Sequence, residues 1–236
     1  MPDRKQSFRR APPLTPPSPE RARQIISALV RWGPVRDFPW RRADATPFQI
    51  LITEILLTRT RSNVVADVIR EVWRRFPAPA ALANSSPNEI AGIIAPLGLR
   101  KRAESLIACA RAIEQLGDVP QDRRSLLQLP GVGTYVADAT LVFAFGKPVI
   151  PIDAVIGRVL RRVLGYPGLG PAYADRALWQ VAQRFPRPRD TRRVVAALLD
   201  LGALICLPQR PMHEVCPLAD LCIYHIAHRD DDGGWH

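Results

Sequence analysis

Apolar residues recur at helical spacing through most of the chain, and nowhere do they alternate with polar ones over the length of a strand. The first such run, about 20–32, sets Ile25, Ile26, Leu29 and Val30 on one side of a helix. Thr46-Pro47-Phe48-Gln49 then reads as a capping box with proline at the first helical position. The helix it opens runs to about Thr58 and is apolar nearly all round, interrupted by Glu54. Burying an unpaired carboxylate is costly, so Glu54 either faces a polar cleft or pairs with an arginine such as Arg59 or Arg61. Further helices are expected over 62–75, 87–95, 101–116, 134–144, 154–164, 172–184 and 191–205. Ser86-Pro87-Asn88-Glu89 reads as a second capping box, and Asp190 as the cap of the last of these helices. The expected fold class is all-α, with no internal repeat.

The stretch from Leu129 to Arg158 concentrates the chemistry. Leu129-Pro130-Gly131-Val132-Gly133 is a turn between two short helices, and two glycines so close together permit φ > 0 and a close approach to the backbone. Gly131, Val132, Gly133 and Thr134 then lie at the N-terminus of the next helix, where amides and the helix dipole suit an anion such as a phosphate. A strand-like apolar link leads on to Asp153, directly before helix 154–164. The expected device grips a phosphate and delivers a carboxylate beside it. Taken singly, the turn is a common tight turn and Asp153 an ordinary N-cap.

Charge narrows the partners. Lysine and arginine number 33 against 22 acidic residues, a net charge of +11. With a pI near 10.5, that favours a polyanion, nucleic acid before an anionic membrane surface. No apolar run reaches the length of a membrane span. Residues 1–19 combine Arg4, Lys5, Arg9 and Arg10 with a proline-rich segment and read as a disordered basic tail without a secretory h-region. Four cysteines in such a chain point to reduced thiols or metal ligands, and a cytoplasmic, nucleoid-associated protein is expected. Cys109, inside an apolar helix, reads as a packed core residue.

Leu129–Ala137 followed by Pro151–Val159 resembles the helix-hairpin-helix and downstream catalytic Asp of the endonuclease III superfamily of DNA glycosylases. The likeness spans roughly 20–225 and is greatest to the thymine/uracil mismatch glycosylases. It implies two helical lobes with a DNA cleft between them. One is a six-helix barrel, about 46–152. The other is a discontinuous domain from 20–45 and 153–225 that carries an iron–sulfur loop, with tails at 1–19 and 226–236. It also implies that Asp153 is the catalytic carboxylate and that Glu54 is functional. Tyr135 stands where lyase members carry a Schiff-base lysine, so base release without strand cleavage is expected. By the same resemblance Thr58 and Arg59 enter the vacated base stack and Leu99 and Arg100 wedge the opposite strand. The alternative for these four is ordinary surface or turn residues.

The family's iron–sulfur loop spaces its cysteines C-x6-C-x2-C-x5-C, and this chain reads Cys206-x6-His213-x2-Cys216-x5-Cys222. Every spacing fits, with histidine at the second position. The expectation is a [4Fe–4S] cluster with His213 as fourth ligand. An unligated His213, a three-iron form, structural zinc and an empty site are the alternatives. Such a staple would hold the C-terminal loop, with Arg210, near DNA. The expected activity is a monomeric, monofunctional glycosylase acting on double-stranded DNA and removing uracil or thymine opposite guanine. The rivals are an adenine glycosylase acting opposite G or 8-oxoguanine, and a noncatalytic helix-hairpin-helix DNA-binding protein.

Overall fold

The computed structural model describes residues 14–168, 170–186 and 188–228. The basic tail expected at 1–19 lies mostly outside these residues, as does the end of the 226–236 tail. Among the described residues the chain is helical throughout, with no strand, and it divides into two compact units. Of the described residues, one comprises 33–151 and 188–196, and the other 14–32, 152–168, 170–186 and 197–228.

In the first unit, α2 (Pro47–Leu57) is the central helix, numbered after α1 in the other unit. Its capping box forms as the sequence predicts, Thr46 accepting from the Gln49 amide and the Gln49 side chain accepting from the Thr46 amide. Phe48, Ile50, Leu51, Ile52, Ile55 and Leu56 are all buried, which accounts for its all-round apolar pattern. Around it stand α3 (Ser62–Arg75), α4 (Pro79–Ala83), α5 (Pro87–Ile93), α6 (Ala103–Leu116), α7 (Arg123–Leu126) and α8 (Thr134–Phe145). α8 packs along α2, and α4 along α6. Each fully buried Leu or Ile of this core contributes about 1.5–3 kcal/mol. Cys109 on α6 is also fully buried, as expected, and burial pushes its thiol up to about 12.

Three local expectations need correction. The second capping box is half formed: Ser86 accepts from the Glu89 amide, but the Glu89 carboxylate turns to Arg75 at 2.9 Å instead of reaching back. Helix 87–95 ends at Ile93 and gives way to a 3₁₀ turn, Ala95–Leu97, because Pro96 disfavours α geometry at the residue before it. Helix 101–116 begins at Ala103, after a 3₁₀ turn over Arg100–Arg102.

The second unit contains α1 (Pro19–Trp32), α9 (Ala154–Leu164), α10 (Arg176–Ala182), most of α11 (Thr191–Leu204) and α12 (Ile223–Ala227). α1 buries Ala22, Ile25, Ile26 and Leu29, whereas Val30 is 36 % exposed and lies off the buried stripe. The helix expected over 172–184 is broken at Asp175, whose carboxylate caps α10 through the Leu178 amide and pairs with Arg161 at 2.8 Å. The link to Asp153 is irregular coil. Asp190 bonds the Arg193 amide at 3.0 Å, as its predicted capping role requires. The helices at 79–83 and 223–227 are too short for periodicity to reveal.

Candidate active site

Asp122 caps α7 through the Ser125 amide, and the chain then turns through Leu129–Gly133 into α8. Gly131 has φ +80°, a conformation that L side chains resist, so glycine is required there. Gly133 is different: at φ −93° it is extended backbone, and its value is the open space where a Cβ would stand. It gives α8 no side-chain cap, and no acidic residue lies in the first turn, so neither offsets the positive end of the helix. Gly131, Gly133 and Thr134 are exposed, while Val132 is buried and donates its amide to the Leu129 carbonyl at 3.1 Å, within the turn. Tyr135 is half-buried, packed on the core.

The two hairpin helices are clamped by an ion pair that the sequence pattern did not single out. Asp138 on α8 is 1 % exposed, and Arg123 on α7 donates to it from Nε at 2.6 Å.

Tertiary packing gathers the hairpin with two other motifs at the C-terminal end of α2. A Cβ on Gly131 would lie 3.7 Å from Ile55 Cγ2, so the turn rests on that helix. Glu54 is 1 % exposed, and its carbonyl accepts from the Thr58 hydroxyl at 3.2 Å. Arg59, the one non-glycine residue at positive φ among the described residues, has φ +62°. That conformation costs a residue bearing a Cβ roughly 1–2 kcal/mol. Arg102 reaches in from the Leu99–Arg102 segment and donates to the carbonyl oxygens of Ile55 and Thr58. Leu99 packs partly against the core, and Arg100 is exposed.

In the other unit Asp153 is the N-cap of α9, its Oδ1 accepting from the amides of Val155 at 2.9 Å and Ile156 at 2.7 Å. Burial raises its pKa above the usual carboxylate value, opposed by those amides and by the Arg158 charge. Further along α9, Arg158 donates to the carbonyls of Cys206 at 2.9 Å and Gly202 at 2.7 Å. The helix that opens with Asp153 is thereby tied to the first cysteine of the loop.

Cys206, His213, Cys216 and Cys222 all line one apolar cavity of about 20 Å³. Arg162 points Nη1 at the Cys206 sulfur from 3.4 Å, and its guanidinium lies 5.0 Å from the centre of the Tyr224 ring. The His213 ring stands 4.2 Å from that of His225. Burial, then the neighbouring Cys206 and Cys222, pushes the Cys216 thiol up to about 11. Metal binding would therefore have to displace its proton. No three His, Cys, Asp or Glu side chains among the described residues converge tightly enough to hold a single metal ion. Arg210, on the same loop, is exposed. Among the described residues no helix is long and apolar enough to cross a membrane.

The chain is similar to the thymine-DNA glycosylase of Aeropyrum pernix, with 37% identity over 84% of this chain and 92% of that protein. It is 36% identical to the thymine/uracil-DNA glycosylase of Methanothermobacter thermautotrophicus over 85% and 92% of the two chains. Among solved structures, a thermostable thymine-DNA glycosylase superposes with a TM-score of 0.81 at 34% identity, over 88% of this chain and 98% of that one. Residues 52–184, which include Glu54, the hairpin and Asp153, match the family model described as HhH-GPD superfamily base excision DNA repair protein, and the chain belongs to that superfamily.

Proposed function

We propose that this protein is a monofunctional DNA glycosylase that removes uracil or thymine mispaired with guanine. The Asp153 carboxylate carries the reading, because two backbone amides fix it on α9 in a half-buried setting. Breaking the N-glycosidic bond builds positive charge on the sugar, and a fixed carboxylate stabilises that state. Water adds to the anomeric carbon, the base leaves, and an abasic site remains. The exposed Gly131, Gly133 and Thr134 of the turn hold a backbone phosphate of the duplex through their amides, around Val132, whose own amide closes the turn. Glu54 and Tyr135 shape the base pocket, and Thr58, Arg59, Leu99 and Arg100 contact the stack around the extruded nucleotide. The partner is double-stranded DNA, bound by a monomer in the cytoplasm.

Tyr135 has no amine, so no imine with the sugar can form through it. Its aromatic face and hydroxyl suit a compact pyrimidine. A pocket that admits thymine usually admits uracil too, since one methyl is worth only about 1–3 kcal/mol. A panel of duplexes with U, T, A, 8-oxoguanine, hypoxanthine and alkylated bases, cleaved with alkali, tests all of this. U opposite G is expected to be released at least as fast as T opposite G, with A:T pairs spared. Strand breaks should require alkali, and borohydride should trap no protein–DNA adduct. Release of A opposite G while U and T persist would replace this reading with the adenine one.

The donor set of the cysteine-lined cavity suits a [4Fe–4S] cluster held by Cys206, His213, Cys216 and Cys222. The four side chains line one cavity, which supports reading them as ligands of one group. When bound, such a group would staple the C-terminal loop. Protein purified without oxygen should be brown, with iron and sulfide in similar amounts. His213→Cys should keep or strengthen iron retention, and unchanged iron content and spectrum in His213→Ala would exclude ligation by His213.

A further inference from the structure

The end of α2 holds a conformation that its own residues do not favour. Arg59 is at φ +62°, where its Cβ crowds the following carbonyl. Such outliers persist only where their surroundings over-determine them. Here the Thr60 amide bonds the Leu57 carbonyl at 3.1 Å, and the Thr58 hydroxyl bonds the Glu54 carbonyl at 3.2 Å. One side chain from a distant segment completes the set. Arg102 donates Nη1 to the Ile55 carbonyl and Nη2 to the Thr58 carbonyl at 2.7 Å, so a single planar fork spans the last turn and the residue before Arg59. Arg102 is half-buried while Arg59 is exposed beside it. Burial and the Arg59 charge both lower the Arg102 pKa, so the clamp is held in place against electrostatic cost.

We propose that Arg102 is a positioning residue that locks the Thr58–Arg59–Thr60 turn, presenting Arg59 rigidly to the base stack. The DNA role of that turn rests on the glycosylase reading above; the clamp itself rests on the bonds made by Arg102. Without the fork, the Ile55 carbonyl is left with the Thr58 amide at 3.4 Å, the Thr58 carbonyl loses its guanidinium donor, and Arg59 is released toward negative φ. Its guanidinium would then no longer start from one fixed place when the nucleotide is extruded.

The test uses the full chain and the variants Arg102→Ala and Arg102→Lys, each checked for helical content. Hydrogen exchange without DNA should show the amides of 58–61 exchanging at least about tenfold faster in Arg102→Ala, with lysine restoring part of the protection. Single-turnover release of uracil should fall about tenfold or more on a U·G duplex, since displacements near 1 Å can cost up to about 10²-fold. The loss on single-stranded uracil DNA, which has no stack to enter, should be much smaller. Unchanged exchange at 58–61 would overturn the clamp, whatever the substrate. An equal loss on duplex and single strand would overturn its role in presenting Arg59. Should the wild-type protein release no base from any duplex, the glycosylase reading fails, and the exchange arm still decides the clamp. If Arg102→Ala does not fold, Arg102→Lys gives the same comparison, one carbonyl keeping its donor.

Discussion

Asp153→Asn should leave the fold intact and slow base release by roughly 10²-fold or more, the scale on which a positioned charged group acts. The expectation follows from how the carboxylate is used twice. Its Oδ1 accepts from the Val155 and Ile156 amides. The asparagine carbonyl can accept both bonds, so α9 keeps its cap. What is lost is the negative charge, the part that the proposed mechanism uses to stabilise the developing sugar cation. Stability and activity should then move in opposite directions. The Asp153 pKa is raised chiefly by burial, so the ionised form is the one the fold disfavours. Its contribution to stability improves as pH falls through the raised value and is least favourable above it. At neutral pH, therefore, Asp153→Asn should melt at or above the wild-type temperature while turning over far more slowly. The wild-type rate should be flat above the raised pKa and decline as pH drops through it, beginning at higher pH than for an ordinary aspartate. Single-turnover rates across pH and thermal melts of both proteins check these statements, and near-wild-type turnover by the variant would remove Asp153 from the chemistry.

The second large effect is expected from the hairpin clamp. Arg123→Met should destabilise the protein by about 2–3 kcal/mol, because it takes a charged donor away from a carboxylate in the interior. The figure lies below the usual range for a fully buried pair because Arg123 is 37 % exposed, so solvent already screens one partner. Asp138→Asn, which removes the charge instead of its partner, should cost less. For a chain of this size each kcal/mol moves the melting temperature by about 2–4 °C, so the two variants should be resolved by calorimetry. The pair joins the two helices that frame Gly131–Thr134, and Arg123→Met should also weaken DNA binding uniformly across sequences, as loss of a phosphate contact does. Equal melting temperatures for Arg123→Met and wild type would overturn the stabilising role of this pair.

Features whose causes are local were legible in the sequence. The Thr46 capping box, the Gly131 turn, the Asp153 cap and the Asp190 cap each depend on residues within three or four positions of one another, and all formed as read. The all-round apolar pattern of α2 likewise announced a central helix. Where local reading failed, a competing partner had won. Glu89 left its capping box for Arg75, and Asp175 broke a helix by capping the next one while holding Arg161.

The candidate site was legible as separate pieces. The spacing of Cys206, His213, Cys216 and Cys222 could be matched, but their sharing one cavity depends on Val159, Arg162 and Leu201, which close its walls from other helices. Arg102 carries no mark in the sequence that connects it to Ile55, 47 positions away. Asp138 did leave a trace, a lone carboxylate in an apolar helix of the same kind as Glu54, but nothing local named Arg123 as its partner. Periodicity and caps report what the backbone will do within a few turns. Which long side chains meet across helices is decided by packing, because an arginine can reach any carbonyl or carboxylate that the folded chain brings within its length.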